Sequence, residues 1–143
     1  MVNESEAATL SGIALLSNRE DLHRAAQFFI AKGVKVVVIT LGERGAYCRT
    51  TSSPGKLFPA REVEVVDSTG AGDTFVGAFA AFLSRPRIRK AWMGQKELSP
   101  SVAHEAVDFA ILASSIAVQN AGAQDSIPWL TDLNGSPDGV SSV

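Results

Sequence analysis

The sequence predicts an α/β layered fold. Helical and strand-like patterns alternate along the chain, one β-branched run shows no in-and-out alternation, and one apolar helix follows a pair of glycines. The β-branched run covers residues 34–40 and is bounded by Gly42. Its missing alternation predicts burial on both faces, as in a parallel sheet. The apolar helix covers residues 73–83. A helix apolar all round predicts a place inside the domain, covered on every side.

Residues 4–12 read as a short helix with Ala7, Ala8 and Leu10 inward and Gly12 at the stop. Ser17 or Asn18 caps a second helix, with Glu20 and Asp21 in its first turn. Leu22, Ala25, Ala26, Phe29 and Ile30 recur there at helical spacing, and Gly33 ends it. After the β-branched strand, residues 42–45 make a tight turn and 46–50 the return strand of a hairpin. Residues 51–56 are a loop of Ser, Pro and Gly. Val63, Val65 and Val66 mark a further strand leading into Gly70-Ala71-Gly72. Residues 84–100 are basic, with Pro86 and Pro100 as breakers, and read as an irregular surface connection. Ser101 caps a last long helix through Val118, carrying Val102, Ala106, Phe109, Ala113 and Ala117, and Gly122 breaks the pattern. Residues 134–143 are rich in Gly, Ser, Pro and Asp and read as a disordered tail.

Composition narrows the class. The 143 residues are 45% hydrophobic and 20% charged, with a formal charge of −2. That suits a domain with a real core and argues against a disordered chain. The near-neutral balance supports neither a nucleic-acid nor a membrane-surface footprint, and the apolar stretches fall short of a membrane span. One cysteine, Cys48, makes no internal disulfide and no multi-cysteine zinc site; it reads as a small apolar strand residue. A cytoplasmic protein is expected, with a nuclear location also open in a eukaryote. His23 and His104 read as residues of solvated helix faces, and Arg85, Arg87, Arg89 and Lys90 as a solvated loop.

The chemistry concentrates in residues 67–75, Asp-Ser-Thr-Gly-Ala-Gly-Asp-Thr-Phe. Glycines let backbone N–H groups approach an anion closely, and a helix N-terminus adds unpaired donors and partial positive charge. The pattern predicts a cradle for a transferring phosphoryl group. Asp73, in the first turn, places a carboxylate beside that cradle. It can take the proton from an attacking hydroxyl, an effect of roughly 10²–10⁴ in rate. The plainer reading is a favourable first-turn acid and two glycines that only turn the chain. The phosphate-loop pattern fails because Leu57 follows Gly55-Lys56, and the dinucleotide pattern fails because Phe75 replaces its third glycine.

Residues 67–79, DSTGAGDTFVGAF, resemble the second signature of the ribokinase (PfkB-type) family of carbohydrate kinases. Asn3-Glu4-Ser5-Glu6 is similar to the family's Asn-x-x-Glu motif. Residues 40–45, TLGERG, resemble its nucleotide-contacting strand and turn. Residues 122–129, GAQDSIPW, resemble ribokinases rather than fructokinases or adenosine kinases. Plainer readings exist for each: a helix cap for Asn3 and Glu6, hairpin turns for Gly42 and Gly45, a turn cap for Ser126.

The resemblance implies a ribokinase-like layered α/β/α fold. It also implies that residues 1–133 are the C-terminal part of such a kinase domain, without the N-terminal half, the lid or the homodimer interface. It implies transfer of the γ-phosphoryl group of ATP to the 5-hydroxyl of D-ribose. Asp73 then matches the catalytic base, and Gly70, Ala71 and Gly72 the anion hole. Thr40, Gly42, Glu43, Arg44 and Gly45 match nucleotide-binding positions, joined by Asn3 and Gly72. Asn3 and Glu6 match the motif that organises Mg2+ and phosphate. Asp67, Thr69, Ala117, Asn120, Gly122 and Ser126 match a monovalent-cation site, normally K+. Such a donor set of oxygens suits a hard cation.

Two positions depart from the family pattern. Ile111 stands where ribokinases often carry Asn or His, so it can pack on an adenine face without hydrogen-bonding it. The connection at 84–100 is longer than in compact bacterial relatives. The implied partners are ATP and a small sugar, with no nucleic acid and no membrane. Alternatives are another PfkB-type sugar or nucleoside kinase, or an inactive remnant that binds only nucleotide or a partner. The isolated chain is expected not to phosphorylate ribose, since orientation of a substrate contributes roughly 7–11 kcal/mol. Exposed edges at 34–40 and 61–66 predict poor solubility or self-association.

Overall fold

Val36–Thr40 forms β2, and its five residues divide two cores between them. The computed structural model describes residues 1–13, 18–95 and 97–134. Val38 faces one core, with Ala46, Cys48 and Phe58, against the long helices. Val37 and Ile39 face the other, with Tyr47, Ala7, Leu22, Ala25 and Ala26. The missing alternation therefore reports helices on both sides of the strand, as expected.

Among the described residues one sheet runs β1 (Val2–Asn3), β2, β3 (Ala46–Thr50), β4 (Lys56–Phe58). β1 pairs parallel with β2 through Val2↔Ile39 and Asn3↔Thr40. β2 and β3 pair antiparallel from Val36↔Thr50 to Thr40↔Ala46, and β3 and β4 antiparallel from Ala46↔Phe58 to Cys48↔Lys56. The sheet is mixed, not parallel. A parallel return needs a crossover of about a dozen residues, and the turn after β2 is far too short. β2 is also not an edge, since β1 and β3 flank it, although β1 reaches only its last two residues.

α1 (Glu4–Ser11) and α2 (Arg19–Ala31) cover one face of the sheet. Asn18 caps α2 by accepting from the Asp21 N–H at 2.9 Å; Ser17 lies outside the described residues. Leu10 is 57% exposed, so α1 turns inward through Ala7. α3 (Ala71–Ser84) and α5 (Pro100–Ala117) pack together on the opposite face. Only one side of α3 is covered: Thr74, Phe75, Phe79 and Phe82 are buried, while Val76, Gly77, Ala80 and Ala81 are exposed among the described residues. The expectation of an all-round covering does not hold for this chain.

Further expectations are corrected. Residues 61–66 make no strand among the described residues, and Val65 and Val66 are 60% and 61% exposed. The segment crosses to the end of α5, where the Val66 and Asp67 N–H groups donate to the Val118 carbonyl at 2.8 and 3.1 Å. Those bonds replace a sheet ladder. Residues 84–100 contain α4 (Pro86–Met93). Pro86 and Pro100 occupy first helical positions, where a missing N–H costs nothing, so both start helices instead of breaking them. α5 is capped by Ser99, whose hydroxyl accepts from the Val102 N–H at 3.4 Å, and not by Ser101. The loop expected at 51–56 ends early, in β4, and a short α6 (Leu130–Asn134) follows the last loop. Residues 135–143, the expected tail, lie outside the described residues.

Cys48 is fully buried, and burial pushes its thiol up to about 12. The histidines are not on solvated faces. Arg49 lies 2.9 and 2.7 Å from the two ring nitrogens of His23. His104 packs edge-on against Phe58 with ring centroids 5.2 Å apart, and burial, then Lys56, lowers its pKa. Arg85 lies 4.8 and 4.5 Å from the ring centres of Phe82 and Phe109, a packing role, while Arg87, Arg89 and Lys90 are exposed.

Candidate functional site

The first wall of the site is the turn that follows β2. Gly42–Arg44 is one 3-10 turn, closed by the Leu41 N–H donating to the Gly45 carbonyl at 2.8 Å. Gly45 has φ +93, and a Cβ there would collide with the Phe58 carbonyl of β4, so the position admits glycine alone. Thr40, Gly42, Glu43, Arg44 and Gly45 all line one side of a cavity of about 770 Å³.

The facing wall is the start of α3. Gly70 is its N-cap in a left-handed conformation, with φ 79. The Ala71 N–H donates to the Ser68 carbonyl at 3.2 Å and the Thr74 N–H to the Gly70 carbonyl at 2.8 Å. The N–H groups of Gly72 and Asp73 have no hydrogen bond among the described residues. Ser68, Ala71, Gly72 and Phe75 line the same cavity as the β2 turn. The structure thus joins a hairpin turn and a helix N-terminus that are well separated in sequence. Unpaired donors and the helix dipole at that end suit a bound anion.

The remaining lining comes from α5 and from residues 59–65. Ile111, Ser114 and Ser115 supply it from α5 with Val118 at the helix C-cap, and Ser114 Oγ also donates to the Ala71 carbonyl at 3.1 Å, tying the two helices. Ile111 is buried and forms part of an apolar surface with Phe75, Val63 and Val65. Ser114, Ser115 and Val118 were not anticipated; the helical spacing of 111, 115 and 118 is the signal that places them on one face.

Asp67 fastens the two loops behind the α3 start. Its carboxylate accepts from the Thr69 N–H at 2.9 Å and from the Gly122 N–H at 3.0 Å. Hydrogen bonds from the Thr69 side chain, the Thr69 backbone and the Gly122 backbone hold its carboxyl below the usual range. Around it, Ser126 is buried and donates to the Ala123 carbonyl at 3.1 Å, Asn120 Nδ2 donates to the Ile116 carbonyl at 3.0 Å, and Ala117 is buried. Asp67, Thr69 and Gly122 are therefore brought together directly, Asn120 and Ser126 belong to the loop that carries Gly122, and Ala117 ends the helix before it. The Asp67 carboxylate, the Ser126 hydroxyl and the Ala123 carbonyl are oxygen donors of the kind a hard monovalent cation takes.

Asn3 and Glu6 form a full capping box. The Asn3 N–H donates to Glu6 Oε2 and the Glu6 N–H to Asn3 Oδ1, each at 2.8 Å. Neither lines the large cavity. Asp73 also stands apart from it. Its neighbour Gly72 lines the large cavity, but one helical step of about 100° turns Asp73 to a second cavity of about 350 Å³. There it meets Thr74, Gly77, Ala81 and Arg85. Asp73 thus offers one of the open N–H groups at the α3 start, and as a residue it lines the neighbouring cavity.

The pattern common to pfkB family carbohydrate kinases matches residues 1–130. The chain belongs to that family. This PfkB-family chain is 39% identical over 132 residues to the ribokinase of Staphylococcus aureus, covering 92% of itself and 38% of that protein. It is 37% identical over 136 residues to the ribokinase of Schizosaccharomyces pombe, covering 94% of itself and 38% of that protein. Among solved structures, the Arabidopsis thaliana ribokinase complexed with ribose and ATP superposes with a TM-score of 0.70 at 31% identity, over 88% of this chain and 36% of that one. The fold is therefore ribokinase-like. The chain spans about 38% of the length of these two curated relatives.

Proposed function

We propose that this PfkB-family chain carries the nucleotide-binding and phosphoryl-stabilising part of an ATP-dependent sugar kinase, with D-ribose phosphorylated at its 5-hydroxyl. The observation that carries the reading is the large cavity, which joins the β2 turn, the open start of α3 and the apolar α5 surface at Ile111. A nucleotide asks for those three features: an apolar surface for the base, a turn for the sugar and backbone donors for the phosphates. Gly70, Ala71 and Gly72 form the anion hole, and Thr40, Gly42, Glu43, Arg44 and Gly45 hold the nucleotide. Phosphoryl transfer depends mainly on positioning and charge stabilisation, which backbone donors at a helix start supply.

In this reading Mg2+ bound to the polyphosphate neutralises charge. Asn3 and Glu6, beside the end of β2 through the β1–β2 register, organise it through water. Asp67, Thr69, Ala117, Asn120, Gly122 and Ser126 would hold K+. Asp73 takes the proton from the 5-hydroxyl. The relatives' names favour ribose: the Staphylococcus aureus and Schizosaccharomyces pombe proteins are ribokinases, and one solved relative is complexed with ribose and ATP. The protein works in the cytoplasm.

Calorimetric titration of the 143-residue chain with ATP in Mg2+ and K+ tests the reading. Saturable binding is expected, and no binding at millimolar ATP overturns it. A second reading, nucleotide binding without transfer, is favoured by Asp73 lining a different cavity from Gly72. Ribose-dependent ADP production by this chain rejects that second reading; ATP binding without production sustains it.

A further inference from the structure

The first turn of α1 and its cap carry one amide and two carboxylates with different roles. Asn3 Oδ1 and Glu6 Oε2 each accept the other's backbone N–H in the capping box. Glu4 is left, and its Oε1 lies 2.7 Å from the Arg44 guanidinium. Sheet register makes the pair. β1 runs parallel to β2 with Asn3 opposite Thr40, so the residue after β1 meets the turn after β2. Arg44 lines the large cavity, and Arg44 and Arg61 are its cationic lining residues among the described residues.

We propose, on the nucleotide reading of that cavity, that Glu4 is a positioning residue which holds Arg44 at the cavity wall for the polyphosphate. An arginine restrained before binding loses less side-chain freedom when an anion arrives. Arg44 is thereby kept on the wall of the cavity that Gly72 also lines, where a guanidinium suits a phosphate. Both partners are close to half-exposed, at 42% and 41%, so salt screens the pair and its effect is a few-fold. The start of α1 thus closes its own helix through the capping box and orders a neighbouring charge through Glu4.

Titration of the chain with ATP and with adenosine tests this. Glu4→Ala is expected to weaken ATP by roughly 2- to 5-fold and leave adenosine unaltered. The loss should vanish at about 0.5 M NaCl, where the Debye length is a few ångströms. In an Arg44→Ala background, Glu4→Ala should add nothing, because the residue it positions is gone. Wild-type affinity for ATP in Glu4→Ala, an equal loss for adenosine, or a further loss on top of Arg44→Ala each overturns the proposal. Absence of ATP binding by the wild type removes the nucleotide reading and this inference with it, whereas intact wild-type binding with an indifferent Glu4→Ala removes the inference alone.

Discussion

Gly70→Ala and Gly72→Ala differ by two positions and should move stability in opposite directions. Gly70 holds φ +79, and a Cβ there would stand 3.1 Å from the Ala123 carbonyl oxygen, 3.2 Å from its Cα and 3.3 Å from its Cβ. A left-handed conformation costs a residue with a Cβ about 1–2 kcal/mol. The Ala123 contacts add to that, because the backbone of the loop must give way by a few tenths of an ångström. The same loop is pinned by the Asp67 carboxylate through the Gly122 N–H at 3.0 Å, which limits how far it can yield. The total is about 2 kcal/mol, or a Tm drop of roughly 5–10 °C for a domain of this size. At Gly72 a Cβ meets nothing within 4 Å. Alanine there is a better helix former by up to about 1 kcal/mol, so Tm should hold or rise. Gly72 lines the cavity, however, and its added methyl keeps an anion from the open N–H groups. Calorimetry and ATP titration on both variants separate these effects. Gly70→Ala should lose stability, and Gly72→Ala should keep stability and lose affinity. A Gly70→Ala protein that melts with the wild type, or a Gly72→Ala protein that binds ATP as tightly, refutes the account of the α3 start.

Phe79→Ala removes a ring buried between α3 and α5 and should cost about 3–5 kcal/mol, read from the midpoint of urea unfolding. Ser99→Ala should cost about 1 kcal/mol through loss of the α5 cap, while Ser101→Ala stays within about 0.5 kcal/mol; the reverse order would restore Ser101 as the cap. Cys48, raised to about 12, should resist alkylation in the folded chain at pH 8 and react on unfolding. Because its folded pKa lies above the unfolded one, the unfolded chain sheds the proton first, and stability should fall as pH rises from about 9. Asp67 works the other way: its carboxyl is held low, so acidification through the usual carboxylate range should loosen the 67–70 loop, visible as loss of amide protection at Thr69 and Gly122.

Local rules read much of this chain correctly. Val36–Thr40 declared itself through β-branching, the 46–50 hairpin return through the short glycine turn, α2 through its apolar spacing and the Asn18 cap. Segments whose state depends on a distant partner read poorly. Residues 61–66 have strand-like valines, yet a strand exists only where another strand's ladder accepts it, and the Val118 carbonyl took the donors instead. Residues 86–93 looked irregular because proline and arginine dominate, yet a proline at the first helical position is harmless, and Trp92 Nε1 donating to the Leu83 carbonyl at 3.2 Å holds α4 against α3.

The site divides in the same way. Residue order was enough to say which short motifs bear chemistry: a glycine turn after a strand, a Gly-Ala-Gly start to a helix, an Asp that can pin a loop and an Asn-x-x-Glu box. Those are properties of backbone conformation over a few residues, and residue type dictates them. Packing in three dimensions settled which motifs share a space. It set the β2 turn and the α3 start across one cavity, added Ser114 and Ser115 from α5 with Val118 at its C-cap, placed Asp73 at another cavity, and joined Glu4 to Arg44 through the β1–β2 register. The difference is one of range. A cap or turn closes within one helical step, whereas a cavity wall depends on how sheets and helices pack, and no single stretch of chain contains that.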